Sequence, residues 1–225
     1  MGGHVASAAE HGAGGTEAGG RVRHAPSHAD ALLDALWLAT LQVICGRAAH
    51  DVRGALNAVA VNLEVARSRS EKPGVPASAL AQYANVASGQ LEAVIAMTEA
   101  LMFLVRPGRG PVDIGAQVTR TVALLAPAAR TVGRSIELDR GVDGLGTTSA
   151  NTSSARLAIG HCLLAAADAS AVVRCVAGGG ATRPQIRIEH GGEAISIDAG
   201  VLDALAAADI EIRTEPSAIA ITFPR

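Results

Sequence analysis

The strongest chemical signal in the sequence surrounds His50. Glycines stand four residues before and four residues after it, at Gly46 and Gly54, and Asp51 follows it directly. Residues four apart share one face of a helix, so both glycines would leave room around the imidazole. A neutral imidazole nitrogen can act as a nucleophile, and an adjacent carboxylate can orient the ring and take up its proton. An ordinary surface histidine beside helix-packing glycines would show the same spacing, so geometry alone leaves both interpretations open.

The element that must carry His50 is a long amphipathic helix. It begins near Ser27, which can cap a helix, and apolar side chains recur at three- or four-residue spacing as far as about Ala66. On a wheel of about 100° per residue, His50 falls opposite the apolar stripe. We therefore expect His50 to point outward.

A second helix completes a hairpin. Pro73, Gly74 and Pro76 end the first helix, and a second apolar-periodic segment runs from about Ala77 to Val105. An isolated hairpin of this kind would leave a wide apolar stripe in water. Pairing with a second copy in a four-helix bundle would cover that stripe, so we predict a homodimer.

Mixed periodicity after the hairpin predicts a second domain of the α+β class, with helices on one face of a sheet. The predicted organisation is a disordered leader at 1–26, a helical hairpin at 27–107 and an α/β sandwich at 108–225. In the sandwich we predict helices at 114–132, 155–170 and 198–208, and strands at 135–139, 172–177, 185–189, 210–214 and 218–223.

Composition excludes several classes of function. The formal net charge of -2 offers no basic excess for a nucleic-acid surface. Cys45, Cys162 and Cys175 are far apart and lack metal-ligand spacing, so we expect reduced thiols. Charged residues and glycines interrupt the apolar stretches before the roughly 20 residues that span a bilayer. We therefore expect a cytoplasmic protein with neither a nucleic-acid partner nor a membrane partner.

No metal site is predicted, because His161 and His190 have no Cys or carboxylate partner at ligand spacing. The glycine run at 178–180 lies between two predicted strands. A hairpin turn therefore explains this run better than a phosphate-binding loop.

The string AHDVRGALNA at 49–58, with NLE at 62–64, resembles the phosphoacceptor box of histidine kinase dimerisation domains. The usual pattern of that box is H-[ED]-x-R-[NTG]-P-L-N-A. The resemblance implies that His50 is the phosphorylated histidine, that Asp51 is its adjacent acid and that Arg53 is the basic position.

The remaining positions of the box match in part. Leu56 and Asn57 match its Leu-Asn pair, whereas Ala55 stands in place of the usual proline. Gly54 occupies the position at which the family commonly has an Asn or Thr that positions water for dephosphorylating the partner. The resemblance therefore implies phosphoacceptor chemistry and puts phosphatase activity in doubt.

The second domain resembles the ATPase domain of the same family, in degenerate form. Residues 111–139 are similar to its opening helix and strand. Ala165 occupies the position of the magnesium-binding Asn, and a methyl group cannot coordinate a hard cation. Glu189 replaces the adenine-reading Asp and Glu193 replaces the second glycine of the D-x-G-x-G motif, of which only Gly191 remains. We therefore expect no nucleotide cofactor.

These features predict a dimeric histidine phosphotransfer protein that exchanges a phosphoryl group between His50 and the aspartate of response regulator receiver domains. The receiver would supply its own Mg²⁺. Docking is predicted on the outward face of the hairpin, at Gly46, Arg53, Gly54, Asn57 and Val61. The alternatives are an active histidine kinase with a divergent ATP site, a non-catalytic adaptor of a response regulator, and an Ala-rich structural protein with a chance resemblance.

Overall fold

The computed structural model describes residues 27–108, 110–178 and 183–225. The leader predicted at 1–26 lies outside these residues. The elements are α1 (His28–Ser70), α2 (Ala77–Val105), β1 (Val112–Asp113), α3 (Ile114–Thr131), β2 (Ser135–Leu138), a 3-10 helix (Arg140–Gly144), β3 (Thr147–Thr148), α4 (Thr152–Ala169), β4 (Val172–Ala177), β5 (Gln185–His190), α5 (Ala199–Ala207), β6 (Glu211–Glu215) and β7 (Ala218–Thr222).

Local sequence explains where the helical hairpin begins and turns. Ser27 and Asp30 form a capping box, in which the Asp30 backbone N–H donates to the Ser27 hydroxyl over 3.1 Å. α1 ends at Ser70, before Pro73. Gly74 takes the turn at a φ of +82°, in the left-handed region that favours glycine. The predicted helical hairpin is confirmed.

The sheet and its helices form two layers. Five strands follow the order β2-β4-β5-β7-β6, in which β2 is parallel to β4 and the other pairs are antiparallel. Ile188 pairs with Cys175 on one side and Ile219 on the other, and all three are fully buried. Arg187, one residue away on the opposite face, forms an ion pair with Glu215. The predicted α+β class is therefore confirmed.

A continuous apolar core joins α1 to the second domain. Trp37 and Ile44 of α1 are buried against α4 at Gly160. A Cβ added at Gly160 would lie 3.2 Å from Trp37 Cζ3 and 3.3 Å from Ile44 Cδ1, so glycine permits this close approach. The N-terminal half of α1 is thus packed against the second domain.

A buried arginine also ties α2 to the second domain. Arg156 on α4 donates to the Phe103 and Arg106 carbonyl oxygens at the end of α2, over 2.9 Å in each case. Burial lowers the pKa of this guanidinium. These bonds satisfy carbonyl groups that the end of a helix leaves without partners.

Some predicted boundaries differ from the observed ones by one to three residues. α4 begins at Thr152 rather than 155, because Asn151 caps it by accepting a hydrogen bond from the Ser154 backbone N–H. The polar stretch at 141–153 contains the short strand β3, which pairs with β1, and most of the 3-10 helix, none of which was predicted. β4 and β5 are antiparallel neighbours, as a hairpin requires, but 179–182 lie outside the described residues.

α1 and α2 are each long and apolar enough to cross a membrane, judged by length and composition alone. The same test also selects core helices of soluble proteins. It is therefore weak evidence for a membrane location of this chain. The cytoplasmic location and the domain boundary near 107 stay predictions.

Candidate functional site

His50 lies in the middle of α1 with its side chain 80% exposed. A Cβ added at Gly46 or Gly54 would meet nothing within 4 Å, so the helix surface on both sides of the ring is open. The outward orientation expected from the helical wheel is confirmed. A bulky partner can therefore reach the imidazole.

Asp51 is placed differently from His50, since its side chain is only 5% exposed. Its Oδ1 lies 3.6 Å from His50 Nδ1, which is beyond hydrogen-bond distance. Its Oδ2 is buried without a hydrogen-bond partner among the described residues. Asp51 is adjacent to the imidazole, but its role in orienting the ring stays a prediction.

The five residues predicted to dock a partner are all exposed: Gly46, Arg53, Gly54, Asn57 and Val61. Arg53 and Asn57 border a groove of about 580 Å³ between α1 and α2, whose floor includes Met97 and Leu101; we call it the hairpin groove. Gly46 and His50 lie instead beside a second cavity. His50 therefore stands on a ridge between two concave surfaces.

The second cavity, which we call the His50 pocket, has a volume of about 580 Å³. Its walls come from three helices. Gly46, Arg47, His50 and Asp51 belong to α1. The remaining residues come from the C-terminal part of α3, the segment that follows it and the end of α4, which includes Asp168. The pocket exists only because the second domain packs against α1.

At the rim of this pocket, Arg47 is bonded to Asp168 in the last turn of α4. Its Nη1 and Nη2 donate to the two Asp168 carboxylate oxygens, each over 2.8 Å. These hydrogen bonds raise the pKa of Arg47, so it remains charged. Arg134, after α3, donates to the Ala167 and Asp168 carbonyl oxygens over 2.6 Å and 2.8 Å.

Sequence reasoning missed this cluster of polar side chains. Arg47 stands three residues before His50, a spacing that places two side chains on neighbouring positions of a helix surface. That spacing could have singled out Arg47. Asp168 lies 121 residues away in sequence, and no local pattern connects the two.

The positions of the nucleotide motifs do not fit a magnesium nucleotide. Ala165, where the resemblance would require an Asn, is a half-buried methyl group on α4. The Glu189 carboxylate faces Arg187 over 3.8 Å on the exposed side of the sheet. Among the described residues, no group of three or more His, Cys, Asp or Glu side chains could hold a metal ion.

The two remaining histidines of interest lie inside the second domain. His161 is half-buried on α4, and burial lowers its pKa. His190 is 5% exposed at the end of β5, and neither of its ring nitrogens has a partner in the described part of the chain. Neither lies in the His50 pocket.

Comparison with known proteins places the chain in no named family. No family model matches it, and no curated protein matches it. Among solved structures, it is similar to the Acinetobacter baumannii histidine kinase AdeS, at 14% identity and a TM-score of 0.34. That match covers 78% of this chain and 97% of the AdeS chain. A TM-score this low does not establish a shared fold.

Proposed function

We propose that this protein is a histidine phosphotransfer protein, which exchanges a phosphoryl group between His50 and the aspartate of a response regulator receiver domain without using ATP. The observation that carries the proposal is the exposure of His50 on a helix between two glycines. Its side chain is 80% exposed, and the space at Gly46 and Gly54 is open. A receiver must bring a whole domain surface against the imidazole, and this arrangement leaves room for it.

The transfer needs a nucleophile on this chain and, on the receiver, an acyl phosphate with its Mg²⁺. One imidazole nitrogen attacks phosphorus as the bond between phosphorus and the aspartyl oxygen breaks, and the carboxylate leaves with the bonding electron pair. His50 Nδ1 is the nitrogen nearer Asp51. A proton on Nδ1 would be stabilised by that carboxylate, which leaves Nε2 free to attack. The reverse step returns the phosphoryl group to a receiver aspartate.

The degenerate nucleotide positions favour this role over that of a kinase. Ala165 and Glu189 stand where the resemblance would require a magnesium ligand and the adenine-reading Asp. At these two positions the chain therefore offers neither a ligand for Mg²⁺ nor the usual contact to adenine. A receiver domain supplies both the phosphoryl group and the Mg²⁺.

We further propose that the protein is a homodimer, because the hairpin exposes a long apolar surface. Leu56, Leu63, Leu91 and Ile95 are each about half exposed, at 46%, 53%, 47% and 51%. Leu56 and Leu63 belong to α1, and Leu91 and Ile95 to α2, so both helices of the hairpin contribute to this surface. A second copy of the hairpin would bury them in a four-helix bundle.

The test mixes the purified protein with ³²P-labelled receiver domains from the same cell and follows acid-labile, base-stable phosphate on the chain. We expect wild type to become labelled and His50→Ala to remain unlabelled. His28→Ala, which changes an exposed histidine on the same helix, is the matched control and should be labelled like wild type.

Other outcomes identify the alternatives. Labelling of wild type by γ-³²P-ATP and Mg²⁺ alone would indicate a kinase. If no receiver exchanges phosphate with wild type, the phosphotransfer proposal is wrong. A cellular effect that persists in His50→Ala would then identify an adaptor.

A further inference from the structure

One ion pair connects the helix of His50 to the second domain at the rim of the His50 pocket. Arg47 and Asp168 form two parallel hydrogen bonds of 2.8 Å each, a geometry that fixes the direction of both side chains. Arg47 stands one helical turn before His50, on a neighbouring position of the same surface. The pair therefore fixes the distance between α1 and α4 at the site itself.

A second arginine fixes the other end of this contact. Arg134 donates to the Ala167 and Asp168 carbonyl oxygens. It thereby satisfies the last carbonyls of α4 and joins the segment after α3 to that helix end. Arg47, Arg134 and Asp168 all line the His50 pocket. Three separate parts of the chain are thus held together at one wall.

The exposure of the pair indicates that folding stability is not its main effect. The side chains of Arg47 and Asp168 are 32% and 58% exposed, and exposed ion pairs contribute little to the free energy of unfolding. The buried contact of Trp37 with Gly160 already holds the second domain on α1. What the ion pair adds is a defined position of the α4 end relative to His50.

We propose that Arg47 and Asp168 are positioning residues, which hold the wall of the His50 pocket in the shape against which a receiver domain docks. The inference rests on the proposed phosphotransfer function. Arg47 acts here through Asp168. Their ion pair neutralises both charges and fixes the position of the pocket wall at the end of α4. The partner is a receiver domain, whose surface beside the phosphorylated aspartate must fit between this wall and the outward face of α1.

The experiment uses the receiver that labels His50 most rapidly. The rate of transfer is measured against receiver concentration for wild type, Arg47→Glu, Asp168→Arg and the double variant with the charges exchanged. Each single variant should raise the half-saturating receiver concentration on the order of tenfold. The reason is that a shifted pocket wall no longer matches the surface of the receiver that docks against it. The maximal rate should change less than twofold, and the double variant should recover most of the loss.

A matched control changes an ion pair of similar exposure that does not line the His50 pocket. Arg174 and Asp139 are 53% and 38% exposed and lie 3.0 Å apart within the second domain. Arg174→Glu should leave the half-saturating concentration unchanged. Trp37, the single tryptophan of the chain, reports the interdomain core through its fluorescence and should keep its native emission in every variant.

The outcomes separate this inference from the function on which it rests. If wild type exchanges phosphate and the single variants have an unchanged half-saturating concentration, the positioning role is wrong while the phosphotransfer function stands. If the double variant is as impaired as the singles, Arg47 does not act through Asp168 and the inference is overturned. If wild type exchanges phosphate with no receiver, the function itself is wrong.

Discussion

The two halves of α1 carry the same apolar pattern but meet different surroundings. As far as Ala55, the helix has eight buried residues, among them Trp37 and Ile44. After Ala55, in a helix that is described throughout, it has none, although Val59 and Leu63 continue the stripe. His50 lies near the boundary between the two halves.

The difference shows that an apolar stripe does not specify its own partner. Full burial of a stripe needs more than one neighbouring element. Besides α2 of its own hairpin, α1 contacts α3, α4 and α5, and its buried residues all lie at or before Ala55. The second half retains the surface that we assign to a second copy. His50 thus lies near the end of the contact between α1 and the second domain, next to a surface that other chains can reach.

The largest effect should follow from a charge in the exposed half. Leu63→Asp would place a carboxylate in the dimer interface that we propose. Burying it there would cost several kcal/mol, and two-fold symmetry would double this cost. We expect a monomer by analytical ultracentrifugation, with the helical content retained. Val172→Asp, at a 53% exposed position of β4, is the control and should stay dimeric. If wild type is itself a monomer, the proposed dimer is wrong.

The next effect tests the buried half. Gly160→Leu would force a side chain against Trp37 and Ile44, where even a Cβ is tight at 3.2–3.3 Å. We expect the free energy of unfolding to fall by about 1–3 kcal/mol, as overpacking usually causes, with a shift in the Trp37 emission. Urea unfolding followed by fluorescence measures both.

The control for this variant is Gly89→Leu. A Cβ at Gly89, on the exposed surface of α2, would meet nothing within 4 Å. Its unfolding free energy should stay equal or rise by up to about 1 kcal/mol, because leucine favours a helix more than glycine does. Equal destabilisation by both variants would contradict the close packing of α4 on α1.

The open surface beside His50 predicts a smaller, kinetic effect. Gly54→Leu should not destabilise the helix, since the site is open. It should slow phosphoryl transfer on the order of tenfold by obstructing the approach of the receiver. Single-turnover transfer rates and thermal unfolding test the two statements. An unchanged rate would show that the glycine is not needed for docking.

The smallest effect is a pH dependence of the buried core. Burial raises the pKa of Cys162 and of Cys175 from 9.0 to about 12. Both thiols stay protonated in the folded chain while the unfolded chain ionises them, so stability falls as the pH approaches and passes the unfolded pKa of 9.0. Between about pH 8 and about pH 9 the two together should reduce the free energy of unfolding by less than about 1 kcal/mol.

Urea unfolding at the two pH values measures the change of the free energy of unfolding with pH, which we call the pH slope. Replacing Cys162 by Ala should reduce the slope by about half, because one of two similar contributions is removed. Cys45→Ala serves as the comparison, since burial raises the pKa of the half-buried Cys45 without a large shift. A slope that Cys162→Ala leaves unchanged would show that the buried thiols are not its source.

The sequence alone determined the main helices and strands and the exposure of His50. Periodicity fixed the two helices of the hairpin, and alternation identified the five strands of the main sheet, because those patterns follow directly from helix and strand geometry. The 3-10 helix and the short pair β1 and β3 were missed, since isolated strands of two residues carry no alternation. The orientation of His50 followed from its position relative to its own helix.

Only the tertiary structure decided what surrounds His50. Asp51 follows it in sequence, yet the packing of the second domain buries the Asp51 side chain and leaves the imidazole in solvent. Arg47 finds its partner 121 residues away, at the end of α4. Local patterns encode which face of a helix is apolar, whereas long-range packing decides which surface covers that face. The pocket beside His50 therefore exists in the folded chain and could not be predicted from any single segment.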